Sequence, residues 1–147
     1  TSILHVGEFK RGKGLFTVND FEFLGDQRSE EFPFLLTTGR VTHQYHTGTM
    51  TRKVWTLALE YPKGFVEINT KDAKELGIKD HQPVRITSAR GSIVAPAMVT
   101  DRINEKTVFV PFHFAESPAN RLTGGQNLDP IINIPALKVS AVRIEVE

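Results

Sequence analysis

The chain has 147 residues, 39% of them apolar, with 18 Lys and Arg against 17 Asp and Glu, which is ordinary for one soluble-type domain with a core of its own. A formal net charge of +1 leaves no global field to draw nucleic acid or an anionic membrane, so an anion site has to be local. Cysteine is absent, which excludes disulfides, thiolate metal ligation and iron–sulfur ligation by this chain, and no apolar run approaches the roughly 20 residues of a helical membrane span.

In chain order, Ile3–Val6 and Leu15–Val18 read as two short strands joined by the basic glycine turn Arg11-Gly12-Lys13-Gly14. The polar run 25–31 reads as a linker, giving an expected division into 1–31 and a main domain over 32–147. The first residue is Thr1 rather than Met, and the expectation is a piece of a longer protein. Phe32 to Thr38 predicts a buried strand, and Val54, Leu57 and Ala58 have the spacing of a short helix over Thr51–Leu59. Phe65–Ile68 alternates as a strand, after which Thr70 is placed to cap a helix over Lys71–Leu76 that stops at Gly77.

The remainder reads as mainly β. Pro83–Ser88 and Ser92–Val99 predict a hairpin turning at Arg90-Gly91, with Pro96 implying an edge or a bulge. Thr107–Val110 and Val139–Val146 predict two further strands, separated by a long ordered loop over 111–138. Short strands with few helices and long crossings suggest a small closed β-barrel, since closure removes exposed strand edges.

Two stretches carry candidate chemistry. Residues 37–50 hold two glycines, an arginine, two histidines and several hydroxyls, with no carboxylate. Gly39 and Gly48 let backbone amides approach a ligand closely, and Arg40 can fork onto a diphosphate, with Thr47 and Thr49 adding hydroxyls. An ordinary glycine turn with a surface arginine accounts for the same residues, and both readings stand. The loop matches neither the P-loop nor the dinucleotide glycine fingerprint. His43 and His46, with His113 joining in space, are too few for a zinc site when no cysteine or nearby acid accompanies them. The second stretch is Phe112-His113-Phe114 through Thr123, where aromatics could stack on a heterocycle and Asn120 could read a ring amide. Two core phenylalanines and a turn asparagine are the plainer account. No serine or threonine sits in a nucleophile motif, and Asp101, Glu105 and Asp129 are scattered, so no catalytic residue is assigned.

The run Thr38-Gly39-Arg40-Val41, Gln44 to Arg52, then 68–78, 84–93, Pro111–Glu116, Asn120–Thr123, Asp129-Pro130 and Lys138–Arg143 closely resembles, in order, the C-terminal domain of molybdopterin oxidoreductases. Within that family, Phe-His-Phe-Ala-Glu followed by Asn-x-Leu-Thr and Asp-Pro looks most like formate dehydrogenase α subunits, with periplasmic-type nitrate reductases as the alternative. The resemblance implies a double-psi β-barrel with a few short helices. It implies a cofactor, molybdopterin guanine dinucleotide, present as a pair holding molybdenum or tungsten in the full-length enzyme. It implies cofactor contacts from Gly39, Arg40, Gln44, His46, Thr47, Gly48, Thr49, Phe112, Asn120 and Lys138, and more weakly from Asn69 and His113. The metal ligand, the catalytic histidine and any iron–sulfur cluster would lie in upstream domains, so this domain alone is expected to be inactive. Its implied partners are those domains and the electron-transfer subunits, with no nucleic acid and no membrane contact, in the cytoplasm rather than the periplasm. A stand-alone barrel serving protein interaction or assembly is the competing reading, because fold does not fix function.

Overall fold

A computed structural model describes residues 3–20, 23, 25–124 and 128–147. Its strands are β1 (Phe34–Gly39), β2 (Val66–Asn69), β3 (Pro83–Ser88), β4 (Gly91–Thr100), β5 (Thr107–Pro111) and β6 (Ser140–Val146). Two short helices accompany them, α1 (Trp55–Glu60) and α2 (Thr70–Glu75). The strands are where Val, Ile and Thr concentrate, residues whose branched side chains pack well on a pleated surface. Their inward positions alternate strictly along β1 and β3, the period that one buried face demands.

The sheet closes on itself in the order β1-β5-β2-β4-β3-β6, with β1 and β5 parallel and β2 and β4 parallel. Advancing every strand number by three reproduces the same ring, the interlocked two-fold arrangement of a double-psi barrel. Mainly β and closed, with few helices, the fold is the one expected. Val66, Ile68, Val84, Ile86, Val108, Val110 and Val142 fill the lumen with essentially no exposure. A satellite cluster of Val41, Phe65 and Phe114, covered by Tyr61, Met98 and Phe109, sits under the loops that leave β1 and β5.

Four local expectations are corrected. No ladder strand occurs among the described residues before Phe34; the expected N-terminal pair is reduced to a bridge between Phe9 and Gly12, closed by the Gly12 N–H on the Phe9 carbonyl at 2.8 Å. Ile3–Val6 and Leu15–Val18 are solvent-exposed, so no core rewards pairing there. The helix over 51–59 is broken at Val54, whose extended backbone separates a 3₁₀ turn (Thr51–Lys53) from α1. Thr70 is the first residue of α2 rather than its cap. The cap is Asn69, whose side-chain oxygen accepts from the Lys71 N–H at 2.9 Å. Pro96 is on no edge: it faces Pro83 at the last pair of the β3–β4 ladder, where β4 passes from β3 to β2 as its neighbour. Gly77, at φ +66°, ends α2 as expected.

The two barrel ends differ. At one, α2 and the tight 101–106 turn are pinned by Asp72, which is buried and accepts from the Lys106 N–H at 2.6 Å. The Lys106 ammonium lies 3.1 Å from the other oxygen of Asp72, 2.8 Å from Glu75 and 5.2 Å from the centre of the Phe34 ring. Glu75 and Asp72 together hold that ammonium above its ordinary pKa. Removing the Asp72 carboxylate strips a part-buried N–H and an ammonium of their acceptor and leaves a cavity, so Asp72→Ala should lower stability by about 2–3 kcal/mol. Urea unfolding followed by circular dichroism checks this, with an unchanged midpoint counting against the pin.

Candidate functional site

The parallel β1–β5 pair sends both strands out of the barrel side by side. Gly39 faces Pro111 in register, and the Phe112 N–H donates to the Gly39 carbonyl at 3.1 Å. A Cβ on Gly39 would lie 2.7 Å from the Phe109 ring, so only glycine lets the strand end this close to its neighbour. β6 enters the barrel at this same end, antiparallel to β1. Between the three segments lies a cleft of about 490 Å³ lined by Thr38, Gly39, Arg40, Phe112, Leu137 and Lys138. The Thr38 hydroxyl donates to the Leu137 carbonyl at 2.7 Å, and Lys138 Nζ donates back to the Thr38 carbonyl. Arg40 stands over the Phe112 ring with its guanidinium carbon 5.9 Å from the centroid. Two cations, an aromatic face and no carboxylate among the lining residues make this cleft favour an anion attached to something flat.

The loop following β1 is built on its own hydrogen bonds. The Thr51 hydroxyl donates to Gln44 Oε1 at 2.7 Å and accepts from the Tyr45 N–H at 3.2 Å. Gly48 donates to the Tyr45 carbonyl at 2.9 Å and adopts φ +71°, beside a left-handed His46 at φ +48°. Arg52 extends from the 3₁₀ turn to fork onto Glu116 at 2.9 and 3.1 Å, with its guanidinium carbon 5.3 Å from the centre of the Phe114 ring. This ties loop 40–53 to the segment after β5. Around that tie, Gln44 Nε2 and both ring nitrogens of His113 are buried without a hydrogen-bond partner among the described residues. Burial, and then the nearby Arg52 charge, push the His113 pKa down, so the ring is neutral at pH 7. His43 stacks on Tyr61 at 5.9 Å, outside both groups.

The sequence-derived residues therefore fall in separate places. Gly39, Arg40, Phe112 and Lys138 meet in the cleft. Gln44, Gly48 and His113 gather around Arg52. His46, Thr47 and Thr49 are exposed on the loop. Asn120 is exposed on a 3₁₀ turn (Ala119–Arg121). Asn69 lies apart: besides capping α2, its Nδ2 donates to the Ile103 carbonyl at 2.7 Å, so both ends of its amide are engaged in the fold. Sequence reasoning gave no site role to Thr38, Leu137, Arg52 or Glu116. Arg52 and Glu116 carried a faint signal, opposite charges just past the first candidate stretch and within the second.

A second tie steadies this barrel end. Arg90, in the β3–β4 turn, pairs with Asp26 through both terminal guanidinium nitrogens and donates from Nε to the Leu122 carbonyl at 3.1 Å. Asp26 also accepts from the Ala141 N–H at 3.0 Å. Burial raises the Asp26 pKa, but the Arg90 hydrogen bond, the Ala141 amide and the Arg90 charge outweigh it and hold the carboxyl below its ordinary value.

A closed double-psi barrel with an anion-favouring cleft built from the ends of β1 and β5 and the entry to β6 is a ligand-binding barrel domain. Comparison with known proteins specifies which: the family model of the molydopterin dinucleotide binding domain matches residues 34–141, and the chain belongs to that family. It is 43% identical over 147 residues to the F420-dependent formate dehydrogenase subunit alpha of Methanocaldococcus jannaschii, covering 99% of this chain and 22% of that protein. It is 42% identical over 147 residues, with the same coverage, to the F420-dependent formate dehydrogenase 2 subunit alpha of Methanococcus maripaludis. The assimilatory nitrate reductase catalytic subunit of Bacillus subtilis is 40% identical over 119 residues, 81% of this chain and 17% of that one. Among solved structures, acetylene hydratase from Pelobacter acetylenicus shares the fold, with a TM-score of 0.71 at 15% identity over 80% of this chain and 19% of that one. The chain thus spans about a fifth of the length of the formate dehydrogenase subunits it matches.

The two shifted groups give separate pH signatures. Asp26 binds its proton less readily folded than unfolded, so its contribution is present above the ordinary carboxylate pKa of about 3.9 and is lost as pH falls through the folded value. His113 is also harder to protonate when folded, so the fold loses stability as pH falls below about 6.5, the ordinary histidine value, until the folded group titrates. Asp26→Asn should flatten the lower limb and His113→Gln the upper limb of stability against pH, measured by urea midpoints from pH 3 to pH 8. A variant that keeps the wild-type slope in its own window removes that residue from the account.

Proposed function

We infer that this chain is the dinucleotide-clamping domain of a molybdenum- or tungsten-dependent subunit that oxidises formate to CO2. The observation that carries this reading is the convergence of Gly39, Arg40, Phe112 and Lys138, far apart in sequence, on one cation-lined cleft of about 490 Å³. The donor set suits the group. Arg40 and Lys138 would hold the diphosphate of a pterin guanine dinucleotide, and the Phe112 ring offers a face for a flat heterocycle. Gly39 and Gly48 serve the fold rather than opening space for a ligand, against the sequence expectation: the room a Cβ would need is filled by the Phe109 ring and the Arg52 stem. Gln44 Nε2 and neutral His113, buried and unpartnered, are groups that a polar ligand would satisfy, since such atoms are costly when left unpaired. His46, Thr47, Thr49 and Asn120, being exposed, are free to contact the ligand as the family resemblance implies. Asn69 is left out of the clamp because its amide is committed to α2 and the 101–106 turn. When bound, the pterin pair holds the metal at which formate gives up two electrons. This chain's residues bind and orient the organic part of that cofactor.

Formate is favoured over nitrate because the F420-dependent formate dehydrogenase subunits are 42% and 43% identical to this chain, against 40% for the assimilatory nitrate reductase and 32% for a periplasmic one. The rest of such a subunit is the natural neighbour of this domain, and α1 supports that: none of its residues is buried, and Trp55 is 72% and Leu59 66% exposed beside Met50 and Val54. A six-residue helix with its apolar side in water is marginal until something covers it. Electron-transfer subunits and a cytoplasmic location belong to the same reading.

In the full-length enzyme, Arg40→Ala and Lys138→Ala should each weaken cofactor retention by roughly ten- to a hundredfold, the scale of one charge-assisted contact. Metal analysis and guanine nucleotide released on acid extraction report this directly, with circular dichroism confirming the fold. A double variant that keeps a full complement of nucleotide would sink the clamp.

A further inference from the structure

We propose that Arg52, acting with Glu116, is a positioning residue that sets the shape of the dinucleotide site by locking loop 40–53 against the Phe112–Glu116 segment. The inference rests on the clamp reading above and deepens it. Arg52 bears on the second residue group from several sides. Its guanidinium forks onto Glu116 at 2.9 and 3.1 Å and stands 5.3 Å from the centre of the Phe114 ring. Its backbone N–H donates to the Gly48 carbonyl at 3.0 Å. Its aliphatic stem lies where a Cβ on Gly48 would come within 2.9 Å, and that same point is 3.3 Å from Gln44 Oε1. Its charge bears on His113 and helps keep that ring neutral.

The two ends of this tie belong to segments that need one. Loop 40–53 has a left-handed residue at each of two positions, His46 and Gly48, and the loop around them is mostly exposed. Left to its own hydrogen bonds it would sample several shapes, and a ligand would have to select one. The Arg52–Glu116 fork is planar and bidentate, which fixes direction as well as distance. It therefore holds Gln44 and Gly48 at a set position relative to His113 and the Phe112 wall of the cleft. A site so ordered before the ligand arrives loses less conformational freedom on binding. Both side chains are about one-third to two-fifths exposed, 34% and 41%, so the pair contributes little to global stability. Its effect falls on the ligand rather than on the fold.

The test uses the full-length enzyme and reads two quantities: the rate at which bound guanine nucleotide is lost on dilution, and the thermal midpoint of cofactor-free protein. Arg52→Ala and Glu116→Ala are each expected to speed nucleotide loss about five- to tenfold, the double variant no more than either alone, and all three to leave the cofactor-free midpoint within a degree or two. Arg52→Lys keeps the charge but not the fork and should restore only part of the retention. The exchanged pair Arg52→Glu with Glu116→Arg should recover more than either single reversal. Single variants that retain nucleotide like wild type, or effects that add, would overturn the positioning role, as would a midpoint that falls in proportion to the loss. Arg40→Ala, measured in parallel, separates the two levels. If it sheds the cofactor while the Arg52 and Glu116 variants do not, the positioning inference alone fails. If it too retains the cofactor, the clamp reading fails and this inference with it.

Discussion

Parallel pairing of β1 with β5 inside a closed barrel is the constraint from which the candidate site follows. Neighbouring parallel strands must end at the same face, so the loops that follow them leave together however far apart they lie in the chain. Here the register sets Gly39 against Pro111, and the antiparallel β6 brings Leu137 and Lys138 to the same rim. Closure also removes edge strands, so the rim is where this sheet can present backbone and side chains to a ligand without inviting another strand. Arg40 and Lys138 become neighbours of one cleft through the pairing of β1 with β6, and Phe112 joins them through β5.

The polar ties divide between the two barrel ends. Asp72 and Lys106 secure α2 to the turn before β5, with a buried acceptor met by a backbone N–H and an ammonium. At the other end, Arg90 collects Asp26 and the Leu122 carbonyl, and Arg52 collects Glu116, Phe114 and Gly48. These two arginines hold loops rather than strands. A long loop keeps a defined shape only when such contacts outweigh its conformational entropy, and planar guanidinium groups are suited to tie several segments at once.

The strands were legible because apolar residues alternate along them or, in β1, form a short buried run, and all six barrel strands lie where those patterns predict with shifts of a residue or two. The α2 cap was misplaced by one residue because Asn69 and Thr70 both carry cap-forming side chains, and only the backbone decides which one is extended. The N-terminal strand pair was misread because alternation promises a strand only where there is a surface to bury it against, and residues 3–20 stay exposed among the described residues. For the site, composition marked the loop after β1 but left it equally an ordinary turn. Ordered resemblance supplied the later positions. Neither could show that Asn69 is used up by the fold, or that Arg52 and Glu116 meet, because both facts depend on which loops lie side by side.

The ring of strands maps onto itself when each number advances by three, and that operation exchanges the two ends of the barrel. The connection from β1 to β2, residues 40–65, is thereby equivalent to the one from β4 to β5, residues 101–106; likewise 112–139, from β5 to β6, answers to 70–82, from β2 to β3. One end has been lengthened into a ligand rim, while its counterpart keeps a tight turn and a capped helix. The barrel thus carries its own internal reference, a plain end that shows what the strands require of their connections and, by subtraction, what was added for the ligand. Shortening the elaborated loops toward their plain counterparts leaves every strand pair of the barrel its partner. Symmetry of the sheet is what frees the loops to differ.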